Sequence, residues 1–171
     1  MRRNAMDELI RWKNSSERKP MVLKGARQVG KTWLMKEFGK NAYADTVYIN
    51  FDSNSRMADL FASDLDTDRL IMGIELYAGR KINPDNTLLI FDEVQEVPRA
   101  LSSLKYFYED VPRYHIMCAG SLLGIALHEG TSFPVGKVDF LSLYPLSFRE
   151  FLMATAGERF ARLLESRDYQ M

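Results

Sequence analysis

Gly25-Ala26-Arg27-Gln28-Val29-Gly30-Lys31-Thr32 is the first stretch whose residue types and spacing can do chemistry. It reads G-x-x-x-x-G-K-[ST], the spacing at which a loop can wrap a run of phosphates. The glycines permit an approach close enough for backbone N–H groups to point inward at phosphate oxygens. A helix starting near Gly30 adds the positive end of its dipole. Lys31 has the charge and reach for the β- and γ-phosphates, and the Thr32 hydroxyl is a candidate magnesium ligand. Arg27 and Gln28 are placed to touch phosphate or neighbouring backbone, and Ala26, Val29 and Trp33 complete the expected nucleotide-contacting set. By chance, the full pattern arises in on the order of 1% or fewer of chains of this length.

A second constellation lies at the end of an apolar run, Leu88-Leu89-Ile90-Phe91-Asp92-Glu93. Two charges there are costly to bury unless an ion compensates them. Asp92 is the candidate to hold magnesium, usually through water. Glu93, turned toward the nucleotide, can polarise an attacking water as general base. Gln95 follows closely enough to assist water placement or to cap a helix. Ser121, at the tip of a further strand, is a candidate sensor of the γ-phosphate, although a helix N-cap would also suit it. His115 and His128 have no partners at metal-ligand spacing, which argues against zinc. Cys118 reads as a small buried hydrophobe.

The elements that must position these groups follow from periodicity. Met21 to Lys24 is a short strand before the glycine loop, and a helical pattern after Lys31 is expected to stop at Gly39. Thr46 to Phe51 is a β-branched and aromatic strand. Residues 55–79 give two helices, with Leu60, Phe61, Leu65, Leu70, Ile71, Ile74 and Leu76 as candidate core positions. A turn at Asn83-Pro84-Asp85-Asn86 precedes a strand at 88–91, whose continuous apolar run suits burial on both faces of a parallel sheet. A helix at 99–109, strands at 114–119 and 138–143 and a helix at 148–164 complete the pattern. An amphipathic helix over 4–13, anchored by Leu9, Ile10 and Trp12, opens it. The alternation predicts an α/β fold with a parallel sheet and right-handed crossovers.

The bulk properties narrow the setting. At 171 residues the chain suits one domain, and equal numbers of basic and acidic residues, 23 each, give no global pull toward nucleic acid or membrane. One cysteine excludes an intrachain disulfide and suits a reducing compartment, so a cytoplasmic location is expected. Asp7, Glu8 and Arg11 interrupt the apolar positions of the N-terminus, so no signal-peptide core follows Arg2 and Arg3. No apolar run approaches the roughly 18 residues a membrane helix needs.

A strand between the glycine-loop strand and the acidic strand resembles the additional-strand, catalytic-glutamate division of P-loop ATPases. Larger blocks sharpen the resemblance: GARQVGKTWL at 25–34, LLIFDEVQEVPRAL at 88–101, SLKYFYED at 103–110, AGSLLGIAL at 119–127, FPVGKV at 133–138 and LYPLSFREFL at 143–152. Together they resemble the N-terminal domain of prokaryotic AAA-type ATPases whose C-terminal half is an uncharacterised, nuclease-like domain. The resemblance implies a P-loop NTPase sheet of about five strands, ordered 5-1-4-3-2 and sandwiched by helices. It also implies ATP with Mg2+, an attached C-terminal domain as partner, and leaves a homo-oligomer open. Residues 1–155 are read as the ATPase core, and 156–171 as the helical start of a truncated lid or C-terminal region. Lys137 stands where relatives often carry arginine. A charge-stabilising arginine is worth on the order of 10³ to 10⁵ in rate in other P-loop enzymes, so slow turnover is expected of this form. Two alternatives stay open: a nucleotide-dependent binding switch with negligible hydrolysis, and a small-molecule P-loop kinase. Against the kinase, Arg113 is the sole arginine between Val111 and Val138.

Overall fold

The alternating apolar and helical patterns fold into alternating strands and helices. The structure, a computed structural model, describes residues 3–120 and 136–155. Helix α1 (Ala5–Lys13) precedes β1 (Met21–Lys24), α2 (Lys31–Ala42) and β2 (Asp45–Asn50). After a short 3-10 turn come α3 (Ser55–Ala62), α4 (Thr67–Ala78) and β3 (Thr87–Asp92). A second 3-10 turn, α5 (Pro98–Asp110), β4 (His115–Ala119), β5 (Asp139–Ser142) and α6 (Phe148–Thr155) follow. The strands form a five-stranded sheet in the order β2-β3-β4-β1-β5, parallel throughout. This is the expected order, read from the opposite edge.

Side-chain alternation along the strands builds a core on each face. Val22, Leu89, Phe91, Ile116 and Cys118 face α3, α4 and α5, where Phe61, Leu70 and Phe107 complete the packing. Leu23, Leu88, Ile90 and Met117 face α1 and α2, against Leu9, Trp12, Leu34 and Phe38. Every residue of β3 and β4 is buried, as double-sided coverage requires. Cys118 is part of that core, and burial pushes its thiol far up from the usual range.

Three expectations need correction. Helix α2 does not stop at Gly39 but runs to Ala42. A Cβ at Gly39 would lie 2.5 Å from Thr46 Oγ1, so this glycine marks the close approach of α2 to β2 rather than a helix end. Leu76 is 78% exposed and Ile10 45% exposed, so neither belongs to the core. Both sit on helix faces turned away from the sheet, where amphipathic periodicity alone does not fix the edge of the apolar stripe. Leu60 and Leu65 are partly buried at the core's rim.

Helix boundaries have local causes. Asp66 caps α4 by accepting from Arg69 N at 2.8 Å, and left-handed Gly79 ends it. Pro98 occupies the first turn of α5, where no N–H is needed. The 83–86 turn closes with Thr87 N donating to Asn83 O at 2.9 Å. Since β4 lies between β1 and β3, the two chemically loaded strand ends stand roughly 10 Å apart. No described helix is long and apolar enough to cross a membrane.

Candidate functional site

The glycine loop leaves the C-terminal end of β1 under tight steric control. A Cβ at Gly25 would lie 2.3 Å from the Leu143 carbonyl oxygen, so only glycine fits there. Gly30, with φ at 93°, turns the chain into α2 from the left-handed region. Gln28 also has a positive φ, 65°, which costs a non-glycine residue on the order of 1–3 kcal/mol. Lys31 lies in the first turn of α2, and its Nζ donates to the carbonyls of Gly25 at 2.8 Å and Ala26 at 2.7 Å. Burial lowers the pKa of this ammonium, and the charges of Glu93 and Asp92 work against that fall.

Strand β3 delivers the acids beside the start of α2. Asp92 Oδ2 accepts from Thr32 Oγ1 at 2.7 Å and from Tyr48 OH at 2.9 Å, while Oδ1 accepts from Glu93 N at 3.1 Å. Glu93 follows with φ at 50°, a second non-glycine residue in the left-handed region. That turn takes its side chain out of the strand's alternation. Gln95 Nε2 donates to Glu93 Oε2 at 2.7 Å, so Gln95 holds the glutamate rather than capping α5. Gln95 Oε1 is buried without a hydrogen-bond partner among the described residues.

Arg27, Gln28, Lys31, Thr32, Asn50 and Glu93 are among the residues that line a cavity of about 650 Å³, and Asp92 meets it through Thr32. A second cavity of about 550 Å³ adjoins it and shares Arg27, Gln28, Gly30 and Trp33. Its remaining wall is Arg3, Val29, Pro145 and Leu146. Trp33, 37% exposed, borders both spaces. The structure therefore brings together Arg27, Gln28, Gly30, Lys31, Thr32, Trp33, Asp92 and Glu93. Ser121 lies outside the described residues, as do His128 and residues 156–171.

Two residues here escape sequence reasoning. Tyr48 alternates with buried Val47 and Ile49 in β2 and faces α2; burial, then the bond to Asp92, raises its phenol pKa. The register that sets Asn50 beside Asp92 also brings β2's polar positions to the acidic strand. Only the pairing of β2 with β3 reveals this, because nothing in TVYIN signals chemistry. Arg3 is the other, set by contacts to distant segments.

Among the described residues no group of three or more His, Cys, Asp or Glu could by itself hold a metal ion. Thr32 and Asp92 offer hard oxygen donors beside an open cavity. That suits magnesium, which keeps waters and shares its ligands with phosphate oxygens rather than sitting in an all-protein cage.

The sequence pattern defining AAA domains matches residues 17–152. The chain belongs to that family. Three solved structures share the fold of this AAA domain. A Walker-type ATPase of Pyrococcus abyssi is 17% identical with a TM-score of 0.56, over 96% of this chain and 59% of that one. Drosophila ORC bound to DNA is 15% identical with a TM-score of 0.56, over 95% and 48%. PCH-2 of C. elegans is 19% identical with a TM-score of 0.53, over 93% and 47%. The AAA domain thus spans roughly half the length of the structures it resembles. No curated protein matches it. Lys137 of the AAA domain pairs with Glu109 at 2.9 Å and precedes β5, at the opposite end of the sheet from the glycine loop. It stands outside this chain's own cavity.

Proposed function

We propose that this AAA domain binds ATP with Mg2+ and hydrolyses the terminal phosphate, driving or switching a C-terminal domain attached to it. The observation that carries this reading is the convergence of Lys31, Thr32 and Glu93 on one cavity at the C-terminal ends of β1 and β3, with Asp92 bonded to Thr32 behind its wall. The loop N–H groups from Gly25 to Gly30 hold the β- and γ-phosphates, and Lys31 exchanges its loop carbonyls for phosphate oxygens. Thr32 would hold magnesium with an oxygen lone pair while its hydroxyl keeps its proton and goes on donating to Asp92 Oδ2. Bound there, magnesium neutralises charge on the β- and γ-phosphates. Glu93 takes a proton from the water aligned with the γ-phosphate. Trp33, Val29, Pro145 and Leu146 give the adjoining cavity the apolar walls that suit a base.

The blocks from Gly25 to Leu152 support a place among prokaryotic ATPases with a nuclease-like C-terminal half, in the cytoplasm. Residues 1–155 would be the core, and Ser121 a γ-phosphate sensor. Oligomerisation would allow a neighbouring subunit to supply a charge-stabilising arginine finger. The balanced charge gives no reason to invoke nucleic acid.

One observation favours the switch reading beside this one: Gln95 holds Glu93, which restrains a base. Phosphate release at saturating ATP·Mg2+ separates them. We expect release by the wild-type chain and a loss of roughly 10² or more in Glu93→Gln, with ATP still bound. Equal rates in the two would remove Glu93 from the base role. Retention of intact ATP by the wild type would favour the switch.

A further inference from the structure

Arg3 is buried, and its guanidinium reaches two segments far apart in the chain, the glycine loop and residues 144–150. Nη1 donates to the Val29 carbonyl at 3.3 Å, Nη2 to the Tyr144 carbonyl at 2.7 Å, and Nε to Glu150 Oε1 at 3.2 Å. Glu150 is equally buried. Its Oε1 also accepts from Asn4 N at 2.9 Å, and its Oε2 from Ser147 N at 2.9 Å. Glu150 N in turn donates to Ser147 Oγ at 3.2 Å. Ser147 and Glu150 therefore form a capping box that starts α6. Burial alone would raise the Glu150 carboxyl, but the Ser147 and Asn4 amides and the Arg3 charge hold it below the usual range. Losing either partner of such a buried pair strands the other charge, so the two are placed together.

The Val29 contact matters for phosphate. A peptide is planar and trans, so fixing the Val29 carbonyl on the Arg3 side points the Gly30 N–H to the other side. Arg3 thereby sets one of the loop donors. The far end of the same loop is gripped by the same downstream segment: Leu143 N donates to Lys24 O at 2.7 Å, and the Leu143 carbonyl leaves no room for a Cβ at Gly25. Residues 143–150 thus hold the start of the glycine loop directly and its Val29 end through Arg3, and run into the first turn of α6. The family pattern begins at residue 17, so Arg3 lies outside it and Glu150 inside.

We propose that Arg3 is a positioning residue for the phosphate loop and that, through Glu150, it couples nucleotide occupancy to the seating of helix α6. The proposal rests on the nucleotide reading above. A loop ordered around phosphates fixes the Val29 carbonyl, which fixes Arg3, which fixes the cap of α6. By reciprocity, a loosened cap weakens nucleotide binding by the same factor.

The test uses the full chain with ADP·Mg2+, read by calorimetry and by amide hydrogen exchange over residues 148–155, with α4 as internal control. In the wild type, ADP should slow exchange in α6 by about fivefold or more and leave α4 unchanged. Arg3→Met should still bind ADP, more weakly, and lose the α6 response. Glu150→Gln, which lines neither the phosphate nor the base cavity, should weaken ADP by a similar factor. If Arg3→Met does not fold, Arg3→Lys keeps the charge, loses the three-armed reach and should show the same loss of response. ADP binding to wild type with no α6 response, or an equal response in the Arg3 variant, overturns the coupling alone. No ADP binding to wild type overturns the nucleotide reading with it.

Discussion

The two ends of one sheet treat their polar groups in opposite ways. At the N-terminal ends of the strands, polar side chains close on each other. Tyr43 OH and His115 Nδ1 share a 2.6 Å hydrogen bond under Trp12, and Lys137 pairs with Glu109. At the C-terminal ends they stand around a cavity where, among the described residues, Lys31 bonds only to its own loop and two non-glycine residues are held at positive φ. The closed end lowers the free energy of the folded chain. The open end keeps two strained backbone positions beside a cavity, which is where strained backbone concentrates in general. Substitutions at the open end should therefore change ligand binding and turnover, and those at the closed end should change stability.

The largest effect expected at the open end is the turnover loss of Glu93→Gln given above. Next is Tyr48→Phe, which removes a donor to Asp92 without touching phosphate. Partners that orient a metal ligand are typically worth 10- to 100-fold, so the magnesium concentration for half-maximal nucleotide binding should rise by about tenfold. A magnesium titration of ATP binding checks this; an unchanged midpoint would place Tyr48 among purely structural residues.

At the closed end, Tyr43→Phe strips His115 of its partner and should cost about 1–3 kcal/mol of stability, with ATP affinity unchanged. Denaturant unfolding and a nucleotide titration on the same protein break the comparison if affinity falls too. A further effect at the closed end concerns pH. Burial, with the nearby Arg18 and Lys13 charges, lowers His115 from 6.5 to about 4, against a weaker upward pull from Asp85. The unfolded ring takes its proton near 6.5 and the folded one resists until about 4. Between those values the unfolded state binds more protons, so this contribution to stability falls as pH drops through the window and is constant above it. Unfolding curves of wild type and His115→Asn should converge across that range. Parallel curves would mean that His115 titrates normally.

How much of this was legible in the sequence follows from where each group's partners lie. The glycine loop is a contiguous pattern whose successive residues are spaced for backbone N–H donation to phosphate, so Gly25 to Thr32 announces itself. Asp92 and Glu93 were legible as charges ending an apolar strand. Tyr48 and Arg3 were not, since their partners are 44 and up to 147 residues away and only strand pairing and the 143–150 segment bring them in. Gly39 misled for a related reason: a glycine late in a helix pattern resembles a stop, yet its cause is Thr46 on another element. The strand order was legible only through the resemblance; periodicity gave the strands without their neighbours.

We expect the open end to bind nucleotide phosphate through Lys31. A calorimetric titration of the chain with ATP in the presence of magnesium, repeated with Lys31→Ala, tests it most directly. Lys31→Ala removes a charged hydrogen-bond donor, so affinity should fall by about 1.5–3 kcal/mol, or roughly 10- to 150-fold, while the folded state persists. An identical dissociation constant for both proteins would mean that Lys31 does not contact the phosphates.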